Sequence, residues 1–228
     1  MEKKSMMVGL GKFYADFPTG LSALPFVYNN VLSLATDLTA RQWVCSTPLF
    51  DPTAGAENIK LKFLEMVKAC TTPDARMLFY FTGHASKYYP DPNSVPLTYA
   101  VTYYNGLTRG SFPPIGNFIS AADYHQLVEA FHEKVPQGHL ITIFDCCYAY
   151  GLIDEFLEAT AYHTVIAASA RNAPALYDDN SVFYKELKKV IGLPFNQMQQ
   201  AINNSFSAQG IPETCVVKPA TDYPQETF

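Results

Sequence analysis

The chain has 228 residues, 48% of them hydrophobic and only 16% charged, which excludes intrinsic disorder and provides a core large enough to need no disulfide or metal. Sixteen Lys and Arg against 21 Asp and Glu leave a net charge of −5, with no basic stripe of the kind that follows a phosphate backbone, so nucleic acid is not an expected partner. No run of eighteen apolar residues occurs and Met1–Leu10 is too short for a signal-peptide core, so a membrane partner is not expected and the cytoplasm is the expected location.

In chain order, short β-rich runs at Met6–Leu10, Gln42–Cys45, Met77–Phe81, Leu140–Phe144 and Val165–Ala168 alternate with longer stretches of helical period. The helical stretches are Leu21–Leu38, limited at its start by Pro25, then Ala56–Ala69, Ala121–Val135, Val182–Ile191 and Gln197–Phe206. Strand and helix in alternation predict one α/β domain over 1–228, with a mostly parallel sheet covered on both faces. Ala85–Asn117, rich in Pro, Tyr and Gly, reads as a long loop with one short hairpin near Thr98–Tyr104, and Ser169–Asp179 as a second, polar loop. Loops of that length in a compact domain are usually functional.

Open parallel sheets bind ligands beyond the carboxyl ends of their strands. His84 follows the Met77–Phe81 run through Thr82-Gly83, and Cys147 follows Leu140–Phe144 through Asp145-Cys146, 63 residues later. If the two strands are neighbours, a thiol and an imidazole leave the same sheet edge, an arrangement that makes a cysteine nucleophilic at neutral pH. The five cysteines are an odd number with neither zinc nor secreted-disulfide spacing, and are expected to be reduced thiols. Cys146 is expected to point into the packing, because adjacent strand residues face opposite ways. His125, His132, His139 and His163 read as surface or helix-packing residues without zinc spacing, so no metal or other cofactor is expected.

Phe79-Tyr80-Phe81-Thr82-Gly83-His84 and Asp145-Cys146-Cys147 resemble the histidine and cysteine blocks of the caspase-like cysteine peptidases, in particular the metacaspase branch. That branch carries a Tyr/Phe-Ser-Gly-His-Gly block and an Asp-x-Cys-His-Ser-Gly block. Leu24-Pro25-Phe26-Val27-Tyr28-Asn29-Asn30 is similar to its Leu-x-Gly-Cys-x-Asn-Asp helix block, Leu49–Ile59 to the segment leading into the second helix, and Ser181-Val182-Phe183 to the start of a late helix. Ala85 stands where the family has Gly, and Tyr148-Ala149-Tyr150-Gly151 replaces His-Ser-Gly.

The resemblance implies a caspase-like α/β/α sandwich and a cysteine endopeptidase acting on a protein or peptide. In it Cys147 is the nucleophile, His84 the proton carrier, and the N–H groups of Cys147 and Ala85 the oxyanion hole; no third member is named. Asp145, Asn30 and Ser169 would bind substrate. The Asp145 carboxylate implies cleavage after Arg or Lys, softened because Asn30 stands where relatives carry a second acid. Between His84 and Asp123 the only acid is Asp91, too few carboxylates for an obligatory calcium site. Control by an activating protein partner, an effector or self-cleavage is expected. Two other readings stay open: a weakly active or inactive caspase-fold scaffold, favoured by Ala85 and Tyr148-Ala149-Tyr150, and a cysteine hydrolase of small molecules.

Overall fold

The computed structural model describes residues 1–12, 23–88, 97–102, 118–153 and 162–228. Its elements, in order, are β1 (Lys3–Gly9), α1 (Val27–Ala40), β2 (Val44–Cys45), β3 (Leu49–Phe50), α2 (Ala56–Lys68), β4 (Arg76–Thr82), β5 (Ala85–Tyr88), β6 (Leu97–Val101), β7 (Phe118–Ser120), α3 (Ala121–Lys134), β8 (His139–Asp145), β9 (His163–Ala167), α4 (Val182–Val190), α5 (Phe195–Ala208) and β10 (Val216–Lys218). The main sheet runs β2-β1-β4-β8-β9-β10, with β3 also on β1; its pairings are parallel except that of the edge strand β10 on β9. β5, β6 and β7 form a separate antiparallel sheet.

Alternation along the central strands sorts the core into two layers. Met6, Val8, Met77, Phe79 and Phe81 point to one face with Ile59 and Phe63 of α2 and Tyr124, Leu127 and Phe131 of α3. Met7, Leu78, Tyr80, Ile141 and Ile143 point to the other, beneath α1, α4 and α5. Every residue of β4 and β8 is buried, as a strand covered on both faces requires. α3 starts on a capping box: the Asp123 N–H donates to Ser120 Oγ at 3.1 Å, and the Ser120 N–H donates to Asp123 Oδ2 at 3.0 Å.

Five strands and five helices expected from periodicity are present with ends moved by a few residues, the largest change being α1, which begins at Val27 just past Pro25. Leu21 and Ser22, where that helix was expected to begin, lie outside the described residues, as do 89–96 and 103–117 of the long loop. The part of the expected hairpin that is described is β6, whose partners are β5 and β7. His139 and His163 open the central strands β8 and β9, are 1% exposed, and pack against helices, His139 on Phe195 of α5 and His163 on Tyr124 and His132 of α3. Among the described residues no helix is long and apolar enough to cross a membrane.

Candidate active site

β4 and β8 are neighbours in register, with Thr82 opposite Asp145, and the Gly83 N–H reaches the Asp145 carbonyl at 3.4 Å. His84 and Cys147 each stand two residues beyond that pair, so the topology brings both to the carboxyl edge of adjacent strands. The half-buried Cys147 packs on the α1/α4/α5 side while the fully buried Cys146 packs on the α2/α3 side, which divides the adjacent thiols between the two cores. Cys147 Sγ makes a weak contact with the Ala175 carbonyl at 3.8 Å. Burial, opposed by that contact and reinforced by Glu213 and Asp145, holds its pKa above the ordinary thiol value. Cys147 is therefore a neutral thiol in this state, and it needs a base at the moment it reacts.

The turn after Cys147 is tightly lashed. Tyr148 has φ 54° and ψ 25°, a left-handed conformation that costs a non-glycine residue about 1–2 kcal/mol. The Tyr148 N–H donates to the Ala173 carbonyl (3.0 Å), and the Tyr150 N–H to that of Ser169 (3.1 Å). Ser169 Oγ accepts from the Ala149 N–H and donates to the Cys146 carbonyl, both at 3.1 Å. The hydroxyl of Ser169 is thus engaged in bracing the turn. Lys87 Nζ lies 4.9 Å from the centre of the Tyr148 ring. Ala85 begins β5 opposite Ala100 and is not among the positive-φ residues, so its backbone tolerates the Cβ that the family's glycine lacks.

Asp145 is wholly buried, and three hydroxyls donate to it: Ser181 Oγ at 2.6 Å to Oδ1, and Tyr80 OH at 3.1 Å and Thr82 Oγ1 at 3.3 Å to Oδ2. Burial outweighs these bonds and raises its pKa to about 6. Ser181 also caps α4, accepting from the Tyr184 N–H at 3.1 Å, so the position of that helix depends on the same hydroxyl that holds the carboxylate. Asn30 is 1% exposed, and neither its amide oxygen nor its nitrogen has a hydrogen-bond partner.

Three residues that sequence reasoning missed complete the site. Ser181 was read only as a helix start. Tyr177 donates its hydroxyl to the Gly83 carbonyl (3.3 Å) and stacks its ring on Phe26 at 5.3 Å, and Asp145, Cys147, Cys146 and Glu213 all act electrostatically on it. Glu213, in the segment leading into β10, is 5% exposed; burial, reinforced by Asp145, raises its pKa to about 8. No local pattern marks Glu213 in Pro212-Glu213-Thr214-Cys215; the buried carboxyl neighbour is its only sign.

Among the described residues no group of three or more His, Cys, Asp or Glu could hold a metal ion. The arrangement offers a thiol, an imidazole at the same sheet edge, and a buried carboxyl, Asp145, held by three hydroxyls.

No protein-family model and no curated protein matches the chain. Solved structures do. The chain is similar to the protein GSU0716 of Geobacter sulfurreducens, with a TM-score of 0.73 at 13% identity, covering 99% of this chain and 97% of that one. It is also similar to caspase-1 of Spodoptera frugiperda, with a TM-score of 0.63 at 9% identity, covering 96% and 89%. At these identities the likeness shows the fold, which is caspase-like α/β.

Proposed function

We propose that this chain is a cysteine endopeptidase of the caspase type, nearest in its blocks to the metacaspases, acting on protein or peptide substrates. The observation that carries the reading is the common register of β4 and β8, with His84 and Cys147 each two residues beyond the Thr82–Asp145 pair. In this mechanism Cys147 Sγ attacks the scissile carbonyl carbon while His84 accepts the thiol proton, which suits a thiol whose pKa is raised rather than lowered. The C–N bond then breaks as His84 returns the proton to the leaving amine. Water, deprotonated by His84, hydrolyses the resulting thioester. The N–H groups of Cys147 and Ala85 stabilise the oxyanion in both steps. Substrate specificity in this reading is for Arg or Lys before the scissile bond, a preference that the resemblance alone assigns to Asp145 with Asn30 as a neutral partner, while Ser169 braces the turn after Cys147. The reading includes no cofactor, a reducing compartment such as the cytoplasm, and control by an activating protein partner or self-cleavage.

A non-catalytic scaffold is the second reading, favoured by the neutral, partly buried thiol and by Tyr177 among the pocket groups. The two separate in one experiment. A thiol-reactive peptide ending in Arg should label Cys147, and Cys147→Ala should abolish both labelling and cleavage of Arg and Lys peptides while Cys146→Ala keeps much of each. Equal labelling of several cysteines with no cleavage rejects the peptidase. Cleavage after Asp alone keeps the peptidase but rejects the basic pocket.

A further inference from the structure

The two carboxyl groups that act electrostatically on Cys147 differ in what they have left to give. Asp145 already accepts three hydroxyl bonds, leaving little of its four-bond capacity. Glu213 is 5% exposed, and neither of its oxygens has a hydrogen-bond partner; the Leu176 backbone only weakly favours its ionised form. A carboxyl group buried without partners is costly whether neutral or ionised, so it marks either a tolerated defect or a place for a missing donor, and a cation beside it would draw it into the ionised form. Its setting favours the second. Asp145 acts electrostatically on Glu213, and both act on Cys147 and Tyr177, which gathers the two carboxyls around the nucleophile.

A second orphan lies on α1, in the block whose resemblance implies substrate binding. Asn30 lies one helical turn after Phe26, whose ring stacks on Tyr177, and three residues before Ser33, whose hydroxyl accepts from Lys188 Nζ of α4 at 2.7 Å. Those contacts bracket Asn30 against the stretch from Tyr177 to α4, which contains Ser181, the closest donor to Asp145. The amide oxygen of Asn30 and both oxygens of Glu213 are buried acceptors without partners, while the bonds of Asp145 are nearly complete. Neither acid has an ion-pair partner among the described residues. A group that carries several N–H donors, no acceptor and one positive charge matches this set, and a guanidinium does so with a planar fork. A metal ion fits less well, since no three ligating side chains gather there among the described residues.

We propose that Glu213 is the specificity-determining carboxylate of this pocket: its free oxygens receive the guanidinium or ammonium of the substrate, with Asn30 adding a neutral acceptor and Asp145 holding the wall. The proposal rests on the peptidase reading for its substrate but not for its binding chemistry. It assigns the basic preference to a residue 66 positions beyond the nucleophile, where the family resemblance assigns it to Asp145.

The test uses the full chain carrying Cys147→Ala, with n-butylguanidinium as the probe and n-butylurea as its uncharged counterpart, followed by calorimetry. A Tyr177→Ala background is run in parallel, so that a closed ring does not hide the site. Butylguanidinium should bind and butylurea should not. Glu213→Gln should weaken the cation by about tenfold or more, and Glu213→Asp by about threefold, with Glu213→Gln melting no lower than the parent. Should Glu213→Gln fail to fold, Glu213→Asp carries the comparison. No cation binding in either background, undiminished binding in the Glu213 variants, or binding of divalent metal salts in place of the organic cation overturns the proposal. Peptide cleavage by the unmodified chain separates the two readings. Glu213-dependent binding without cleavage rejects only the peptidase, and Arg cleavage indifferent to Glu213→Gln rejects only the role of Glu213.

Discussion

Asp145 joins three elements through one carboxylate, receiving Tyr80 and Thr82 from β4 and Ser181 from the start of α4. Its folded pKa of about 6 lies above the ordinary 3.8, so the protonated form is the one the fold prefers. The contribution is fully present below pH 3.8 and is lost as pH rises to about 6, a cost of about 3 kcal/mol from a two-unit shift. Asp145→Asn should therefore raise stability at pH 7 to 8 by about 1–3 kcal/mol, the lower figure allowing for the weaker bond from Ser181, and flatten the profile between pH 4 and 6. Denaturant melts at pH 4, 6 and 8 read both effects. A variant less stable than the parent at pH 8 would show that the three hydroxyl bonds outweigh the burial of charge. Tyr148 makes a related point at the neighbouring turn, where the left-handed backbone is held by the Ala173 carbonyl and the ring sits by Lys87. Strain of this kind survives only where surrounding contacts over-determine it.

At the scale of elements, the edge strand β10 shows how a short strand is kept from pairing with other chains. The Cys215 N–H donates to Asn203 Oδ1 at 2.8 Å, Asn203 Nδ2 donates to the Cys215 carbonyl at 3.0 Å, and the Val217 N–H donates to Gln199 Oε1 at 2.7 Å. Two amide side chains of α5 thus imitate the next strand. Asn203→Ala would leave the Cys215 N–H and carbonyl without partners, at a cost of about 1–3 kcal/mol, which is about 3–9 °C in melting temperature for a chain of this size. It would also expose an edge able to pair with a second copy. Thermal melts and sedimentation over a range of concentrations check the two parts, and an unchanged melt with a concentration-independent mass would show that the amides add nothing. Asp51 performs a comparable service at the end of β1, where its carboxylate accepts the N–H groups of Gly11 and Lys12 at 2.9 and 3.0 Å.

Across the whole molecule, the end opposite the site is fastened by the C-terminal segment. Glu226 pairs with Arg76 and accepts from His139 Nδ1 at 2.9 Å, His139 Nε2 meets Thr164 Oγ1 at 2.8 Å, and Tyr223 stacks on the His139 ring at 4.7 Å. His163 Nε2 meets Thr142 Oγ1 at 2.9 Å, and Thr142 in turn bonds Tyr124. Burial lowers both histidines to a pKa of about 3, helped at His139 by Arg76 and His132 and at His163 by His132 and His139. Such groups fold neutral. Stability is intact above pH 6.5 and falls as pH drops from there towards 3, because only the unfolded chain takes up the protons. By pH 5 the loss should reach about 2 kcal/mol per histidine, and His163→Gln should remove its share of the slope between pH 6.5 and 5. Melts of the parent and variant across that interval measure it, with imidazole resonances that stay neutral down to pH 5 as the direct check. Parallel slopes in the two proteins would show that His163 is protonated in the folded state.

The alternation of short β-rich runs with helical periods by itself determined the layered α/β architecture, since each pattern spans one local window and each face must be buried. It also placed His84 and Cys147 just past strand ends, and divided Cys146 from Cys147 by the two-residue period of a strand. The short strands β3, β5, β7 and β10 were not legible, because two to four residues carry too little periodicity and depend on partners in other segments of the chain. Only the tertiary structure decided that β4 and β8 are neighbours, that Ser181 and Tyr80 bond Asp145, and that Glu213 is buried with both oxygens unpartnered. Local preferences are set by each residue's nearest neighbours in sequence, whereas burial of a carboxylate and the field it exerts depend on segments that meet only when the sheet and its helices pack.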